Sequence, residues 1–332
     1  MSAPVLVVDD LSVRFAGAPA AVVEGLNFTV RPGRTLALVG ESGCGKSVTS
    51  MALMGLLPPT ARIQARQASF MGEDLLTMPE TRRRDLRGDR LAMVFQEPMT
   101  SLNPAFSVGE QLMETVLRHR GGSQATARQR ALEMLEKVRV PAAAQRLAAY
   151  PHELSGGMRQ RVMIAIALAM EPDVLIADEP TTALDVTVQA QILDLLRTLQ
   201  KKNGMAILFI THNFGVVAEI ADRVMVMYAG RIVEQGSVGQ VLASPRMPYT
   251  RGLLAAVPRF EHAGLAQGEL GTIAGFVPDP SAPPAGCAFH PRCAYSVAGR
   301  CDSEAPALEE IERGHHLRCV RWQELAVEGG AR

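Results

Sequence analysis

The chain has 332 residues, of which 47% are apolar and 20% charged, and its 34 basic and 34 acidic residues give a formal net charge of +0 at pH 7. This length accommodates one large domain, or one domain of average size with an appendage. The neutral balance gives no basic surface of the kind that binds nucleic acid. Apolar runs such as residues 164–170 are far shorter than the ~18 residues of a membrane span, and residues 1–10 lack the basic and then apolar segments of a signal peptide. We therefore expect a chain that stays in the cytoplasm.

The first sixty residues alternate between strand-like and helix-like segments. Residues 5–8 and 26–30 are rich in β-branched and apolar side chains, which favours strands. Residues 35–39 form a continuous apolar run, as a strand buried on both faces does. A glycine-rich segment follows, and residues 47–57 then have the pattern of a helix that ends before two prolines. This order predicts an α/β fold in which a buried strand leads directly into a glycine loop.

Helical patterns dominate the middle of the chain. Apolar residues recur at helical spacing in segments 108–117, 128–138 and 157–170, and strand-like runs are scarce there. We interpret residues 97–170 as a helical subdomain that is inserted into the α/β core.

The segments beyond this insertion return to the α/β pattern and then lose it. Residues 174–177 and 206–210 are two further buried strands, and a helical segment at 188–202 separates them, which predicts a parallel sheet with crossover connections. After residue 242 the proline content rises and four cysteines follow. We therefore place the main domain at residues 1–242 and a mostly irregular accessory tail at 243–332.

The glycine-rich segment has the spacing G-x-x-x-x-G-K-S of a phosphate-binding loop, and it stands between a strand and a helix as such a loop must. Its glycines let backbone N–H groups point at phosphate oxygens. Lys46 supplies a cation to the β and γ oxygens, and the Ser47 hydroxyl is a ligand of the kind that Mg²⁺ prefers. Cys44 occupies a free position of the motif. The candidate nucleotide-binding residues of the loop are Gly40, Glu41, Ser42, Gly43, Cys44, Gly45, Lys46 and Ser47.

Polar residues follow two other predicted strands. Asp178 and Glu179 come directly after the strand at 174–177, and His212 follows the strand at 206–210. Since ligands bind at the carboxyl ends of parallel strands, these side chains are expected to reach the same site. Asp178 is a candidate magnesium ligand, Glu179 a candidate general base for water, and His212 a candidate partner of the γ-phosphate. A capping role for the acidic pair and a structural role for the histidine remain the alternatives.

A further motif lies at the start of a predicted helix and contains two glycines. These let backbone N–H groups at the helix N-terminus approach an anion. The motif reads Leu154-Ser155-Gly156-Gly157-Met158-Arg159-Gln160. Together with the phosphate loop and the acidic pair, in this order, it resembles the ABC ATPase family along residues 5–242. The resemblance implies a parallel-sheet core, an antiparallel β subdomain and an inserted helical subdomain, with ATP as the nucleotide.

The same resemblance implies roles for residues that no pattern assigns by itself. Gln96 would sense the γ-phosphate and reach the magnesium, and Phe15 would stack on adenine, with a core position as the alternative. Because the chain contains one phosphate loop, the ATP-bound dimer would require two chains, either a heterodimer with a sister ATPase or a homodimer. The residues that would contact nucleotide on the opposite chain are Ser155, Gly156, Gly157 and Asp185.

Three segments are similar to the ATPase subunits of dipeptide and oligopeptide importers, namely residues 95–104, 248–254 and 286–293. This branch implies ATP-driven peptide import, a peripheral position on the cytoplasmic face of the inner membrane, two transmembrane permease subunits and an indirectly coupled substrate-binding protein. Nickel, glutathione and antimicrobial peptides remain alternative cargoes. A soluble ABC ATPase of DNA repair or translation is disfavoured, since such proteins carry two nucleotide domains or a long coiled coil.

The tail cysteines are candidate metal ligands, because disulfides are rare in a reducing cytoplasm. The branch resemblance implies a [4Fe–4S] cluster. Zinc is an alternative, although its structural sites normally contain closely spaced cysteine pairs, and unmetallated thiols are another. Five, seven and seventeen residues separate Cys287, Cys293, Cys301 and Cys319. His290, His315 and His316 are spare ligand candidates for which surface positions are expected.

Overall fold

Two β-sheets organise the computed structural model, which describes residues 3–182, 184–256 and 272–329. One sheet has eight strands and runs through the centre, and the other has five strands paired antiparallel. The strands of the described residues are β1 (Leu6–Phe15), β2 (Val23–Val30), β3 (Thr35–Val39), β4 (Ala61–Gln64), β5 (Gln67–Phe70), β6 (Glu73–Asp74), β7 (Leu91–Val94), β8 (Val174–Asp178), β9 (Ala206–Thr211), β10 (Arg223–Tyr228), β11 (Arg231–Ser237), β12 (Glu309–Glu312) and β13 (His315–Leu317).

Helices cover the sheets and fill the segment between β7 and β8. Those of the described residues are α1 (Lys46–Met54), α2 (Glu80–Leu86), α3 (Pro98–Ser101), α4 (Val108–Arg120), α5 (Gln124–Lys137), α6 (Ala143–Arg146), α7 (Gly156–Leu168), α8 (Val186–Asn203), α9 (Phe214–Ile220), α10 (Pro248–Ala255) and α11 (Trp322–Gly329). Within the described ranges, none of these helices is both long and apolar enough to span a membrane.

The central sheet has the strand order β12-β13-β11-β10-β3-β9-β8-β7. Its strands from β10 to β7 are parallel to one another, which confirms the α/β fold with a parallel core. The pairing aligns Val39 with Thr211 and Asp178 with Ile210. The chain therefore leaves β3, β8 and β9 at the same edge of the sheet, where ligands bind in such folds.

The alternation of side chains along β3 explains why its apolar run is continuous. Leu36 and Leu38 pack into the core that lies between the two sheets, whereas Ala37 and Val39 pack on the other face with Tyr228 and Tyr249. Because every residue of β3 is buried on one of these faces, none of them can be polar at low cost, apart from Thr35 at its start.

The inserted helices begin at residues that cap their N-termini. Ser107 and Glu110 form a reciprocal capping box at α4, and the Ser155 hydroxyl accepts a hydrogen bond from the Met158 N–H at α7. Helices α4, α5 and α7 then share a hydrophobic core with α8 and one face of the sheet. These helices correspond to the segments in which the sequence has helical spacing.

The tail extends the central sheet instead of lying apart from it. Strand β13 pairs with β11, and β12 pairs with β13. On β11 the Glu234 carboxylate is fully buried and accepts hydrogen bonds from the backbone N–H groups of Arg246 and Met247. The Nε2 atom of His315 lies 2.9 Å from Glu234 Oε1, and its side chain is 1% exposed. The expectation of a surface position was therefore wrong for His315, which joins the tail to β11.

We expect replacement of His315 by Ala to lower the free energy of unfolding by about 3 kcal/mol, because it removes the ring that contacts a buried carboxylate. The control is Glu312→Ala, which breaks an exposed ion pair with Arg246 near the same strands and should cost about 1 kcal/mol or less. Urea unfolding of the full chain measures both. Equal effects of the two substitutions would contradict a special role for the Glu234–His315 contact.

Candidate nucleotide-binding site

The phosphate loop connects the carboxyl end of β3 to α1 and fits the surrounding backbone closely. A Cβ atom at Gly40 would collide with the carbonyl oxygen of Met227. Gly45 has a φ of +108°, in the region that favours glycine, and a Cβ there would lie 3.0 Å from the carbonyl oxygen of Val22. The two glycines are thus required both by the path of the loop and by its packing against β10 and the start of β2.

Lys46 is buried and lies over the loop. Its Nζ atom donates hydrogen bonds to the carbonyl oxygens of Gly40 at 2.7 Å and Glu41 at 2.9 Å. A buried ammonium requires such partners. Phosphate oxygens that enter the loop can take over these bonds, as the sequence predicts for the lysine of this motif. The neighbouring Cys44 thiol is also buried, and its burial raises its pKa, so it has the character of a packed side chain.

Asp178 has the features of a magnesium ligand. It is 2% exposed, and its Oδ1 atom is buried with no hydrogen-bond partner among the described residues. Its Oδ2 atom accepts a 3.4 Å hydrogen bond from the Ser50 hydroxyl, and the Ser47 hydroxyl is near enough to lower the pKa of the same carboxyl group. Burial raises the pKa of Asp178, and the nearby Glu179 carboxylate raises it further. An unpartnered acidic oxygen beside the Ser47 hydroxyl fits Mg²⁺, which prefers oxygen ligands.

Glu179 is held in a fixed orientation at the end of β8. Its backbone is in the left-handed region, with a φ of +48°, and its N–H donates a 2.9 Å hydrogen bond to the carbonyl of Ile210 on β9. One carboxylate oxygen accepts from the Thr182 hydroxyl at 3.0 Å, and the other lies 3.1 Å from His212 Nδ1. Left-handed backbone is strained for a residue other than glycine, and such strain is frequent at functional sites. The structure therefore brings Glu179 and His212 together, as their strand-end positions predict.

The remaining predicted residues are exposed or partly exposed. Gln96 is exposed just after β7, and Phe15 is half-buried at the end of β1. Ser155 and Gly156 are exposed at the start of α7, and a Cβ at Gly156 would meet no atom within 4 Å. Asp185 caps α8, since its Oδ1 atom accepts from the Val188 N–H at 3.0 Å.

One contact connects α7 to the segment that contains the candidate base. Gln160 is 1% exposed, and its Nε2 atom donates a 2.8 Å hydrogen bond to the carbonyl of Pro180. Pro180 directly follows Glu179 in the chain. The helix that begins with the Ser155-Gly156-Gly157 motif is thus bonded to the residue next to the candidate base.

Sequence reasoning missed several residues that support this site. Ser50 stands three positions after Ser47 and so faces the same side of α1, a spacing that could have identified it. Thr182 stands three positions after Glu179 in a turn. Tyr249 and Arg292 contact the phosphate loop from the tail, and no local pattern connects them to it.

Comparisons with known proteins agree with this geometry. Residues 23–182 match the family model described as "ABC transporter", and residues 233–301 match the one described as "Oligopeptide/dipeptide transporter, C-terminal region". The chain is 48% identical over 314 residues to the dipeptide transport ATP-binding protein DppD of Escherichia coli strain K12, covering 94% of this chain and 95% of that protein. It is 47% identical over 318 residues to the DppD protein of Bacillus subtilis strain 168, covering 95% of this chain and 94% of that one.

Solved structures of similar fold include the ATP-binding cassette MJ0796, in a dimeric post-hydrolysis state bound to ADP and Pi. It has a TM-score of 0.63 and 25% identity, and the match covers 70% of this chain and 98% of that chain. The cbiO1 protein of Clostridium perfringens, part of the ABC transporter complex cbiONQ, has a TM-score of 0.60 and 28% identity and covers 73% of this chain and 92% of its own.

We expect Asp178→Asn to stabilise the nucleotide-free protein by about 1 kcal/mol, because it removes a buried charge that has an unpartnered oxygen. The same substitution should abolish the extra stability that Mg²⁺ with ATP gives the unmodified chain. Thermal unfolding with and without Mg²⁺ and ATP measures both effects. A less stable nucleotide-free variant, or one that Mg²⁺ and ATP still stabilise normally, would contradict the assignment of Asp178.

Proposed function

We propose a function that follows from family membership: this chain belongs to the ABC transporter ATP-binding proteins, in the branch that serves peptide import, and it hydrolyses ATP to power the uptake of dipeptides and oligopeptides. The observation that carries the proposal is the convergence of Lys46, Asp178, Glu179 and His212 at one edge of the sheet, in a chain that also matches the transporter-type tail.

Each of the residues at this edge of the sheet would have a separate role in ATP hydrolysis. The phosphate loop and Lys46 would hold the β- and γ-phosphates. Ser47, Asp178 and Gln96 would hold Mg²⁺, which when bound would neutralise negative charge on the phosphates. Glu179 would accept a proton from the attacking water as the water oxygen bonds to the γ-phosphorus, while the bond from that phosphorus to the β,γ-bridging oxygen breaks and ADP leaves. Its hydrogen bonds to Thr182 and His212 orient the carboxylate, and His212 would also contact the γ-phosphate.

A second chain would complete the site. Backbone N–H groups at a helix N-terminus are a favourable anion site, and the exposed start of α7 presents Ser155, Gly156 and Gly157 with open space at Gly156. In our proposal these residues bind the γ-phosphate held by the partner, and Asp185 lies at the same interface. A heterodimer with a sister ATPase and a homodimer both satisfy this geometry.

The permease subunits would dock near Gln96. The segment after β7 leads to Phe106, which is 48% exposed between α3 and α4 and provides apolar surface for a membrane partner. Closure of the two ATPases on ATP would move two permease subunits, and hydrolysis would release them. The chain would then lie peripherally on the cytoplasmic face of the membrane, and the substrate-binding protein would act on it only through the permease.

We expect Glu179→Gln to bind ATP normally, to accumulate as the ATP-bound dimer and to hydrolyse ATP at least about 100-fold more slowly, because the amide cannot accept the proton of water. The matched control is Glu219→Gln, an exposed carboxylate on α9 that pairs with Arg197, which should retain full turnover. Phosphate release and size-exclusion chromatography with ATP measure the two effects. Full hydrolysis by Glu179→Gln would refute its role as base.

For the tail cysteines we propose that Cys287, Cys293, Cys301 and Cys319 hold a [4Fe–4S] cluster. All four thiols line one pocket beside Phe289 and His290. Burial, together with a smaller contribution from the other three cysteines, raises the pKa of Cys319 to about 11, so the four sulfurs lie close enough to influence one another. Among the described residues, no group of three or more His, Cys, Asp or Glu side chains is already arranged to hold a metal ion. The proposal is supported by the four thiols around this pocket, which suit a [4Fe–4S] cluster, and by their spacing, which lacks the close cysteine pairs of structural zinc sites.

We expect protein purified without oxygen to contain about four irons and four acid-labile sulfides per chain. Cys293→Ser should lose them, whereas Cys44→Ser, which changes the buried thiol of the phosphate loop, should retain them. Elemental analysis together with the visible spectrum measures this. One zinc per chain, or no metal, would refute the cluster and leave the ATPase assignment intact.

A further inference from the structure

The tail reaches the phosphate loop through one side chain, Arg292. Its Nη1 and Nη2 atoms donate hydrogen bonds to the two carboxylate oxygens of Glu41 at 2.7 Å and 2.9 Å. The pair is bidentate and largely buried, with the Arg292 side chain 5% exposed and that of Glu41 28% exposed. Bidentate pairs of this kind fix orientation as well as adding energy. Arg292 and Glu41 stand 251 positions apart in the chain.

Arg292 is held rigidly on the tail side. Its guanidinium carbon lies 5.8 Å from the ring centroid of Tyr228 and 6.0 Å from that of Phe289. Its Nε atom donates a 2.9 Å hydrogen bond to the carbonyl of Ala274. The guanidinium group is therefore held in a fixed orientation by these other contacts. Because of this, less side-chain entropy is lost when it pairs with Glu41.

Every polar group of Glu41 is engaged. Its backbone N–H donates a 3.0 Å hydrogen bond to the Tyr249 hydroxyl, and its carbonyl oxygen accepts from Lys46 Nζ at 2.9 Å. Arg292 takes the carboxylate. Since the N–H of Glu41 points to Tyr249, this residue anchors the loop and leaves contact with phosphate to the residues that follow it.

The two anchors share one aromatic platform. The rings of Tyr228 and Tyr249 are 4.6 Å apart between centroids, and Phe289 lies 5.3 Å from the first and 5.2 Å from the second. Tyr228 ends β10 of the central sheet, Tyr249 is on α10, and Phe289 belongs to the tail. The contacts thus connect the sheet, the loop and the tail into one packed unit.

We propose that Arg292 is a positioning residue for ATP binding, which acts through Glu41 to hold the phosphate loop in the conformation that accepts phosphates. A loop that is held in its binding conformation loses less entropy when ATP binds. The tail thereby sets the affinity for ATP. The inference rests on the ATPase function proposed above, and it does not depend on the cargo or on metal in the tail.

The first test separates ATP affinity from turnover in the full-length chain. Arg292→Gln should raise the KM for ATP about tenfold and leave kcat within about twofold, because a charge-assisted contact is lost from the loop but not from the reacting groups. Arg292→Lys retains the charge without the fork and should have an intermediate KM. The matched control is Arg300→Gln, which should leave the KM for ATP unchanged. Like Arg292, Arg300 directly precedes a tail cysteine, but its ion pair with Glu324 lies within the tail.

The second test asks whether Arg292 acts through Glu41. Glu41→Gln alone should raise the KM for ATP as Arg292→Gln does, and the double variant should be no worse than either single variant. The Glu41 variant leaves the tail unchanged, so it tests the same contact if Arg292→Gln does not fold.

Three results would overturn the proposal. These are multiplicative effects of the two substitutions on KM, an unchanged KM in both single variants, or an equal rise in KM for Arg300→Gln. A parent chain that does not hydrolyse ATP would instead refute the proposed function, and this outcome is distinguishable because it concerns the unmodified protein.

Discussion

The parallel pairing of β3 with β9 and of β9 with β8 is the constraint on which the site depends. Each strand ends at the same edge, and each is followed at once by a residue with phosphate, metal or acid–base chemistry. The register leaves little freedom, because Glu179 is bonded through its own N–H to Ile210 on the adjacent strand. A slip of one residue would turn the apolar side chains of these strands to the wrong faces. The same pairing that forms the core therefore also sets the spacing of the proposed catalytic groups.

The site is formed at a cost to the stability of the fold. Lys46, Asp178 and Glu179 are all buried charged residues, and Glu179 in addition has left-handed backbone. Lys46 and Glu179 obtain partners from the protein, whereas Asp178 keeps one oxygen without any among the described residues. Buried charged groups of this kind cluster at functional sites. The surrounding apolar strands, which contribute most of the burial, provide the excess stability that permits them.

Features that depend on residues close together in the chain can be predicted from the sequence, whereas contacts between residues far apart in the chain cannot. The phosphate loop, its strand and its helix follow from a contiguous pattern, and β8 with its acidic pair does so too. The tail is different, because its cysteines and prolines predict irregular structure but not where that structure packs. His315 was placed at the surface since nothing near it in the chain indicates Glu234, which is 81 positions away. The contact of Arg292 with Glu41 and the addition of β12 and β13 to the sheet are likewise determined only by the folded chain.

The hydrogen bond from Gln160 to the carbonyl of Pro180 has a consequence for how two such chains would work together. In the proposed dimer the start of α7 touches ATP held by the partner, while Glu179 acts on ATP held by its own chain. Because Gln160 is on α7 and Pro180 follows Glu179, a displacement of α7 would pull on the segment of the proposed base through a single hydrogen bond. Each chain would then sense the nucleotide state of its neighbour at its own proposed base, and this contact would synchronise the two hydrolysis reactions.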